Sequence, residues 1–471
     1  MVRAALRLIS AGVLAAFAAA PALAQPAPEL RIEPYEFRLR DGSTLAAERG
    51  RFTVPEDRGD PASRRIEIGF VRFRSTNPNP GAPIVYLAGG PGGSGVFTAQ
   101  GPRQPVFLAL RAVADVIAFD QRGTGFSSHI PRCTAARRLD PAAGLSEATL
   151  TAYYVETLSD CVTRWRAAGI AVNGYTTEQS AEDLEDLRRA LGVRRIDLWG
   201  ISYGTHLAMA AMRRHPGSIG RVALSSVEGM QQTVKLPVHV DAAFARIDAA
   251  VGGGLVDRMR RVHARLDAEP AVFAMPDGTS FRADSFVIRM MAGFFAKNPD
   301  GYAQLAGGYA ALEAGQNGAL AQPIWNFFYR DPVSMGMTEL MDVASGIDDQ
   351  RLALVQRQAQ TALGGTAINF PMPQLNRAVP GLDLGTRFRR EIRSRHPVLI
   401  FEGDLDVRTP LEEQAAATVG LANVQRLRFR NGGHDLFEAH PDVGAILTEF
   451  FSGRPVTVRE LVLPAPSAGN S

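Results

Sequence analysis

"RIDLWGISYGTHLAMAAMRRHP" occupies Arg195–Pro216, and its middle decides the fold. An apolar run ends at Gly200, Ile201, Ser202, Tyr203 and Gly204, and an alanine-rich segment with helical spacing follows. A buried strand that turns sharply into a helix holds its turn residue in strained backbone geometry. The residues two positions either side must then be small, because strand and helix pass close to each other. Gly200-x-Ser202-x-Gly204 meets that requirement, with a predicted strand before it and a predicted helix after it. That context separates the motif from a glycine-rich turn with an incidental serine. The hydroxyl of Ser202 is expected at the top of a sheet. The amide of Tyr203 is expected at a helix N-terminus, where it can donate to a developing oxyanion.

A nucleophilic serine needs a base, and the base needs an acid to orient it. Downstream, "FEGDLDVRTP" follows an apolar run and offers Asp404 and Asp406, while "RFRNGGHDLF" offers His434 in a glycine-flanked loop. Both segments fall after strands, on the same rim as Ser202. Asp406 is the preferred acid, with Asp404 as a turn-former or supporting group. His206, His215 and His440 read as structural. The early run "YLAGGPGGSG" (Tyr86–Gly95) lets the backbone approach a substrate carbonyl and aim an amide at it. Gly90 is the candidate second oxyanion donor, with Gly92 or Gly93 as alternatives. No Lys-Ser/Thr follows these glycines and their spacing differs from G-x-G-x-x-G, so a nucleotide cradle is disfavoured.

Working outward, "RIEIGFVRF" alternates apolar and polar residues as an edge or hairpin strand does. "APIVYLAGG", "DVIAFD", "RVALSS", "HPVLIFEG" and "QRLRFRN" are strand-like runs with helical stretches between them. One predicted helix covers Ser180–Leu191, with Ser180 as its N-cap. Continuous strands separated by helices predict an α/β fold, a mostly parallel central sheet flanked by helices. The alternation breaks over residues 230–395, which read as an inserted helical cap. The core is therefore expected in two parts, 25–229 and 396–463, followed by a disordered tail at 464–471.

Residues 1–24 read as a cleavable export signal: Arg3 and Arg7 precede an apolar stretch that ends in "ALAQ". An uncleaved anchor is the alternative; no stable membrane span is expected after the signal is removed. The protein is thus expected to be exported, periplasmic or secreted. Without that segment 49 basic residues face 48 acidic ones, since the chain has 51 Lys+Arg and 48 Asp+Glu and the signal takes two arginines. This near-neutral, scattered charge gives no footprint for nucleic acid. Nearly all the positive charge is arginine; lysine occurs only at Lys235 and Lys297. In an oxidising compartment Cys133 and Cys161 favour one disulfide over two buried thiols. The histidines lack ligand spacing, so neither metal nor other cofactor is expected.

Together, "GGPGGSG" (Gly89–Gly95), "FDQRGTGFS" (Phe119–Ser127), "DLEDLRRALG" (Asp183–Gly192), "WGISYGT" (Trp199–Thr205), "GDLDVRTP" (Gly403–Pro410) and "GGHD" (Gly432–Asp435) resemble the α/β-hydrolase superfamily. More narrowly, they resemble its prolyl aminopeptidase and tripeptidyl aminopeptidase branch of serine exopeptidases. The resemblance covers nearly the whole chain outside the signal and cap. It implies Ser202 as nucleophile, Asp406 as acid, His434 as base, and an oxyanion hole of the Gly90 and Tyr203 amides. It also implies a cysteine pair at Cys133 and Cys161, and peptide substrates with a free N-terminus. Esters, lactones or amides without a free amine are the alternative substrates. Two positions depart from the pattern. Ala88 stands where many relatives have His, and "VEG" (Val227–Gly229) stands where related members often read Asp-Gly. Glu228 thereby becomes a candidate to hold the substrate's α-amino group, against a plain cap-hinge acid. Asp120 and Arg122 are expected to brace the site loops as an Asp–Arg pair.

Overall fold

Ten strands form one twisted sheet in the computed structural model, which describes residues 27–376 and 378–466. The expected signal at 1–24 and residues 467–471 of the expected tail lie outside the described residues. In chain order the strands are β1 (Leu30–Arg38), β2 (Thr44–Pro55), β3 (Arg65–Phe73), β4 (Ile84–Leu87) and β5 (Val116–Phe119). They continue as β6 (Ile196–Ile201), β7 (Ile219–Ser225), β8 (Val398–Gly403), β9 (Val424–Arg430) and β10 (Glu460–Val462). Their spatial order is β1-β2-β3-β5-β4-β6-β7-β8-β9-β10. The pairs from β1 to β5 are antiparallel, and every pair from β5 to β10 is parallel.

Strands β4, β5, β6 and β8 are buried along their whole length because both faces are covered. Side chains alternate across a strand, so Val85 and Leu87 pack into one core while Ile84 and Tyr86 pack into the other. Leu198 and Trp199, and Ile400 and Phe401, divide in the same way. Each such fully buried aliphatic residue contributes about 1.5–3 kcal/mol by leaving water. The strand order also creates the site. The chain steps from β4 to β5 on one side, then crosses back to place β6 on the other. Loops leaving the C-terminal ends of β4 and β6 therefore diverge and open a crevice, as at the switch points of open α/β sheets.

Between β7 and β8 the chain builds helices at Pro237–Ala250, Leu255–Ala268, Ser285–Phe295, Tyr302–Glu313, Gly318–Phe328, Met337–Ser345 and Asp349–Ala359. It also contains a small hairpin, Ala271–Ala274 against Ser280–Ala283. Phe244, Met259, Phe281, Val287 and Tyr309 form a core of their own here, and Leu405 and Val407 from the loop after β8 insert into it. The residues flanking Asp406 are thus anchored in the helical segment. Cys133 and Cys161 are joined in a disulfide. Closing a 28-residue separation removes unfolded-chain entropy equivalent to about 3.5 kcal/mol on the loop-entropy model.

Two expectations need correction. The helix read as Ser180–Leu191 runs Thr177–Ala190, and Thr176, not Ser180, caps it by accepting from the Gln179 amide. Ser180 is buried inside the helix. Arg122 does not pair with Asp120. Its fully buried guanidinium forms two bonds to Asp183, at 2.7 and 2.6 Å, and donates to the carbonyls of Glu56 and Gly174. Asp120 instead accepts from Ser94 Oγ (2.6 Å) and from the amides of Val96 and Phe126. It thereby ties down the end of the glycine-rich loop.

Candidate active site

Ser202 sits between β6 and the helix Tyr203–Arg214 at φ 53°, ψ −128°, a conformation that L-residues rarely adopt. Its amide is bonded to the Ser225 carbonyl of the neighbouring strand (3.1 Å). The two flanking glycines are steric necessities. A Cβ on Gly204 would lie 2.1 Å from the Leu87 carbonyl oxygen, and one on Gly200 would lie 2.7 Å from the Gly204 carbonyl oxygen. Strand β4, strand β6 and the helix converge here with no room for a methyl group.

His434 lies in the loop after β9, 5% exposed, with Nδ1 2.9 Å from Asp406 Oδ2. Asp406 is fully buried and also accepts from Thr409 Oγ1 (2.6 Å) and from the amides of Arg408 and Thr409 (2.8 and 2.9 Å). Burial works against its charge, but the imidazole of His434 and the Thr409 bonds hold its carboxyl below the usual aspartate range. An ionised carboxylate only accepts, so His434 Nδ1 carries the proton and Nε2 is left as the base. Asp404 serves elsewhere: its Oδ1 accepts from the Gly432 amide (3.1 Å), tying the acid loop to the histidine loop.

The histidine loop is clamped from two sides. Ser226, itself at φ 53°, donates to the His434 carbonyl (2.6 Å). From the helical segment, Asn298 accepts from the amides of His434 (2.9 Å) and Asp435 (3.0 Å) and donates to the Asp435 carboxylate (2.7 Å). Tyr302 donates to the Leu405 carbonyl (3.0 Å). Sequence reasoning missed Asn298 and Ser226, because neither belongs to a motif and both act across more than 100 residues.

The glycine loop passes directly over the serine: a Cβ on Gly89 would meet Ser202 Cβ at 3.0 Å and Oγ at 3.7 Å. Gly93 donates its amide to the Gly89 carbonyl (3.0 Å), which removes it as an oxyanion donor. The amides of Gly90 and Gly92 have no acceptor among the described residues. Gly90 lies at φ 124°. Tyr203, as first residue of its helix, has an amide with no partner a turn back.

Ser202, His434, Gly89, Gly90 and Gly93 line one cavity of about 690 Å³ with Phe97, Phe294, Lys297 and Arg408. A larger hollow of about 910 Å³ opens at the opposite, N-terminal ends of the strands, beside Asp197, Arg221 and His396. It holds a Ser394–His396 pair, but His396 Nε2 is bonded to the Pro216 carbonyl and, among the described residues, no acid orients the ring. Glu228 is 6% exposed and lies 2.9 Å from Lys235 Nζ, so its carboxylate is already paired. The chain's other lysine, Lys297, pairs with Asp435 at 2.7 Å. Both lysines of this arginine-rich chain therefore neutralise acids around the site.

Residues 82–441 match the family described as the alpha/beta hydrolase fold, over most of the chain. The chain belongs to that family. This α/β hydrolase is also similar to a tripeptidyl aminopeptidase of Streptomyces lividans, 33% identical over 191 residues, which are 38% of this chain and 35% of the relative. It is similar to the serine protease Hip1 of Mycobacterium tuberculosis, 26% identical over 231 residues, 47% of this chain and 43% of the relative. The matched segments thus span less than half the length of these relatives. A solved proline iminopeptidase of Mycobacterium smegmatis aligns over 85% of this chain and 97% of its own, with 15% identity and a TM-score of 0.39.

Proposed function

We propose that this α/β hydrolase is an exported serine exopeptidase that cleaves peptide bonds near the free N-terminus of its substrates. One observation carries the reading: Ser202, on its strained turn, shares a cavity with an imidazole whose other nitrogen is held by a buried carboxylate. Ser202 attacks the scissile carbonyl while His434 Nε2 takes its proton. The tetrahedral oxyanion lies against the amides of Gly90 and Tyr203. His434 then protonates the leaving amine, and water repeats the sequence on the acyl-enzyme. Asp406 stays ionised throughout and stabilises the imidazolium.

Peptide substrates are supported by the names of the relatives, and a free amine by the acids beyond the cleft. Arg408, which lines the cleft, lies within electrostatic reach of Glu228 and Asp342. Burial, with Glu228 and Glu339 nearby, pushes the Asp342 carboxyl well above the usual aspartate range. A substrate ammonium beside Asp342 would favour its charged form, with the Glu228–Lys235 pair as neighbour. Export is supported by the leader pattern at 1–24 and by the disulfide. Among the described residues no helix is long and apolar enough to cross a membrane.

The test is hydrolysis of aminoacyl, dipeptidyl and tripeptidyl nitroanilides, each with a free and an acetylated N-terminus. The reading expects free-amine substrates to be preferred by about a hundredfold or more in kcat/KM, the scale of a buried charge pair. Indifference to acetylation, or activity confined to simple esters, would move the chain to the esterase or lactonase alternative.

A further inference from the structure

Three cations line the cavity around Ser202: Arg103, Lys297 and Arg408. Two are matched by carboxylates of the same cavity. Arg103 is bonded to Glu438 and to the Tyr86 hydroxyl, with Asp435 at 3.7 Å, and Lys297 is bonded to Asp435. Arg408 differs. Its guanidinium has no hydrogen bond and no carboxylate within 4 Å among the described residues; its one close partner is the Phe294 ring, 5.9 Å from the guanidinium carbon to the centroid. Burial lowers the pKa of Arg408, while Glu228, Asp406 and Asp342 oppose that at longer range. Two of those acids are already engaged, Glu228 by Lys235 and Asp406 by His434 and Thr409. Its guanidinium donors, five N–H groups on a planar fork, are left without a protein acceptor at the wall of the cleft in which the substrate must lie.

We infer that Arg408 is a specificity-determining residue that receives a carboxylate of the substrate through paired N–H···O bonds. A guanidinium fork matches a carboxylate bidentately, and none of the cavity's own acids fills that place. The carboxylate has two chemical sources. It is a side-chain acid on the acyl portion beside the scissile bond, or the terminal carboxylate of a short peptide on the leaving side. The inference rests on Ser202 as the nucleophile, but not on the substrate being a peptide.

Matched substrates that differ only in that charge test it. One arm compares p-nitrophenyl hydrogen glutarate with p-nitrophenyl valerate. A second compares Glu with Gln next to the nitroanilide of a free-amine peptide. A third compares tetra-alanine with its C-terminal amide. The acid-to-neutral ratio of kcat/KM is expected to be about ten to a hundred in at least one arm, the range for hydrogen bonds to a charged group. It should fall towards one in Arg408→Gln and recover in part in Arg408→Lys. Covalent labelling of Ser202 by a phosphonate counts competent sites in each variant. If Arg408→Gln does not fold, inhibition of the wild type by glutarate but not by glutaramide supports the inference, and equal inhibition overturns it. Ratios near one in every wild-type arm, or a ratio that survives Arg408→Gln, would also overturn it. Selection of the hemiester with no cleavage of either peptide set would retain Arg408's role and reject the exopeptidase reading.

Discussion

Replacing Asp406 by Asn separates orientation from mere packing in the acid loop. The Oδ1 of Asp406 accepts two backbone amides, at 2.8 and 2.9 Å, and an asparagine carbonyl can keep both. The new NH2 then occupies the Oδ2 position, facing His434 Nδ1 and Thr409 Oγ1. An NH2 donates, so His434 Nδ1 must become the acceptor and its proton must move to Nε2. The ring then presents N–H to Ser202 and cannot accept the serine proton. A wrong tautomer of this kind costs about 10⁴-fold in kcat, or about 5 kcal/mol of barrier. Asp404→Asn is the control: its bond to the Gly432 amide survives in the carbonyl oxygen, and the loss should stay within about tenfold. The assay is steady-state hydrolysis of the best nitroanilide, with thermal unfolding to confirm that both variants fold. If Asp404→Asn cost more than Asp406→Asn, or if Asp406→Asn stayed within tenfold of wild type, the assignment of the acid would be wrong.

Three further outcomes follow from the same geometry. Gly204→Ala drives a methyl group to 2.1 Å from the Leu87 carbonyl oxygen, and should cost about 1–3 kcal/mol or more of stability, read as a lowered urea midpoint; an unchanged midpoint would contradict the tight crossing. Asn298→Ala removes the clamp on the His434 and Asp435 amides and should lower kcat by about 10–100-fold with a smaller change in KM; a change in KM alone would show that Asn298 contacts substrate instead. Buried His263 donates to or accepts from Tyr309 at 2.7 Å, and burial, with Arg289 and Arg260, pulls its pKa down to about 3. Its folded pKa lies below the unfolded value of about 6.5, so the unfolded chain takes up the proton first. Stability should be full above about pH 6.5 and fall towards pH 3. Urea midpoints across that range should slope less in His263→Gln, and an equal slope would place the acid sensitivity elsewhere.

The central parallel strands were legible because both of their faces are covered, which leaves unbroken apolar runs such as Val398–Phe401. Strands β1 and β2 were not read from the sequence. Leu30–Arg38 is exposed on both faces and buries only Phe37 fully, and Thr44–Pro55 mixes charged and half-buried residues into its pattern. The start of the helix at Thr177 was misplaced because Ser180 looks like a cap by composition, whereas Thr176 caps it in the structure. Ser202, Asp406 and His434 could be nominated because each lies in a local motif at a strand end. Their supports could not: Asn298, Ser226 and the Asp183 partner of Arg122 are chosen by tertiary approach, not by spacing. The pairing of Glu228 with Lys235 lay between these cases. The two are seven residues apart, and Lys235 is one of only two lysines in the chain.

The most direct measurement of the central claim uses two diphenyl α-aminoalkylphosphonates, identical except that one carries a free amine and the other is acetylated. After incubation, the adduct is located by mass spectrometry of peptides from the wild-type protein and from Ser202→Ala. The account predicts a single adduct on Ser202, formed much faster by the free-amine reagent and absent in the variant. Labelling at another residue would contradict Ser202 as the nucleophile, and equal rates with both reagents would contradict recognition of a free N-terminus.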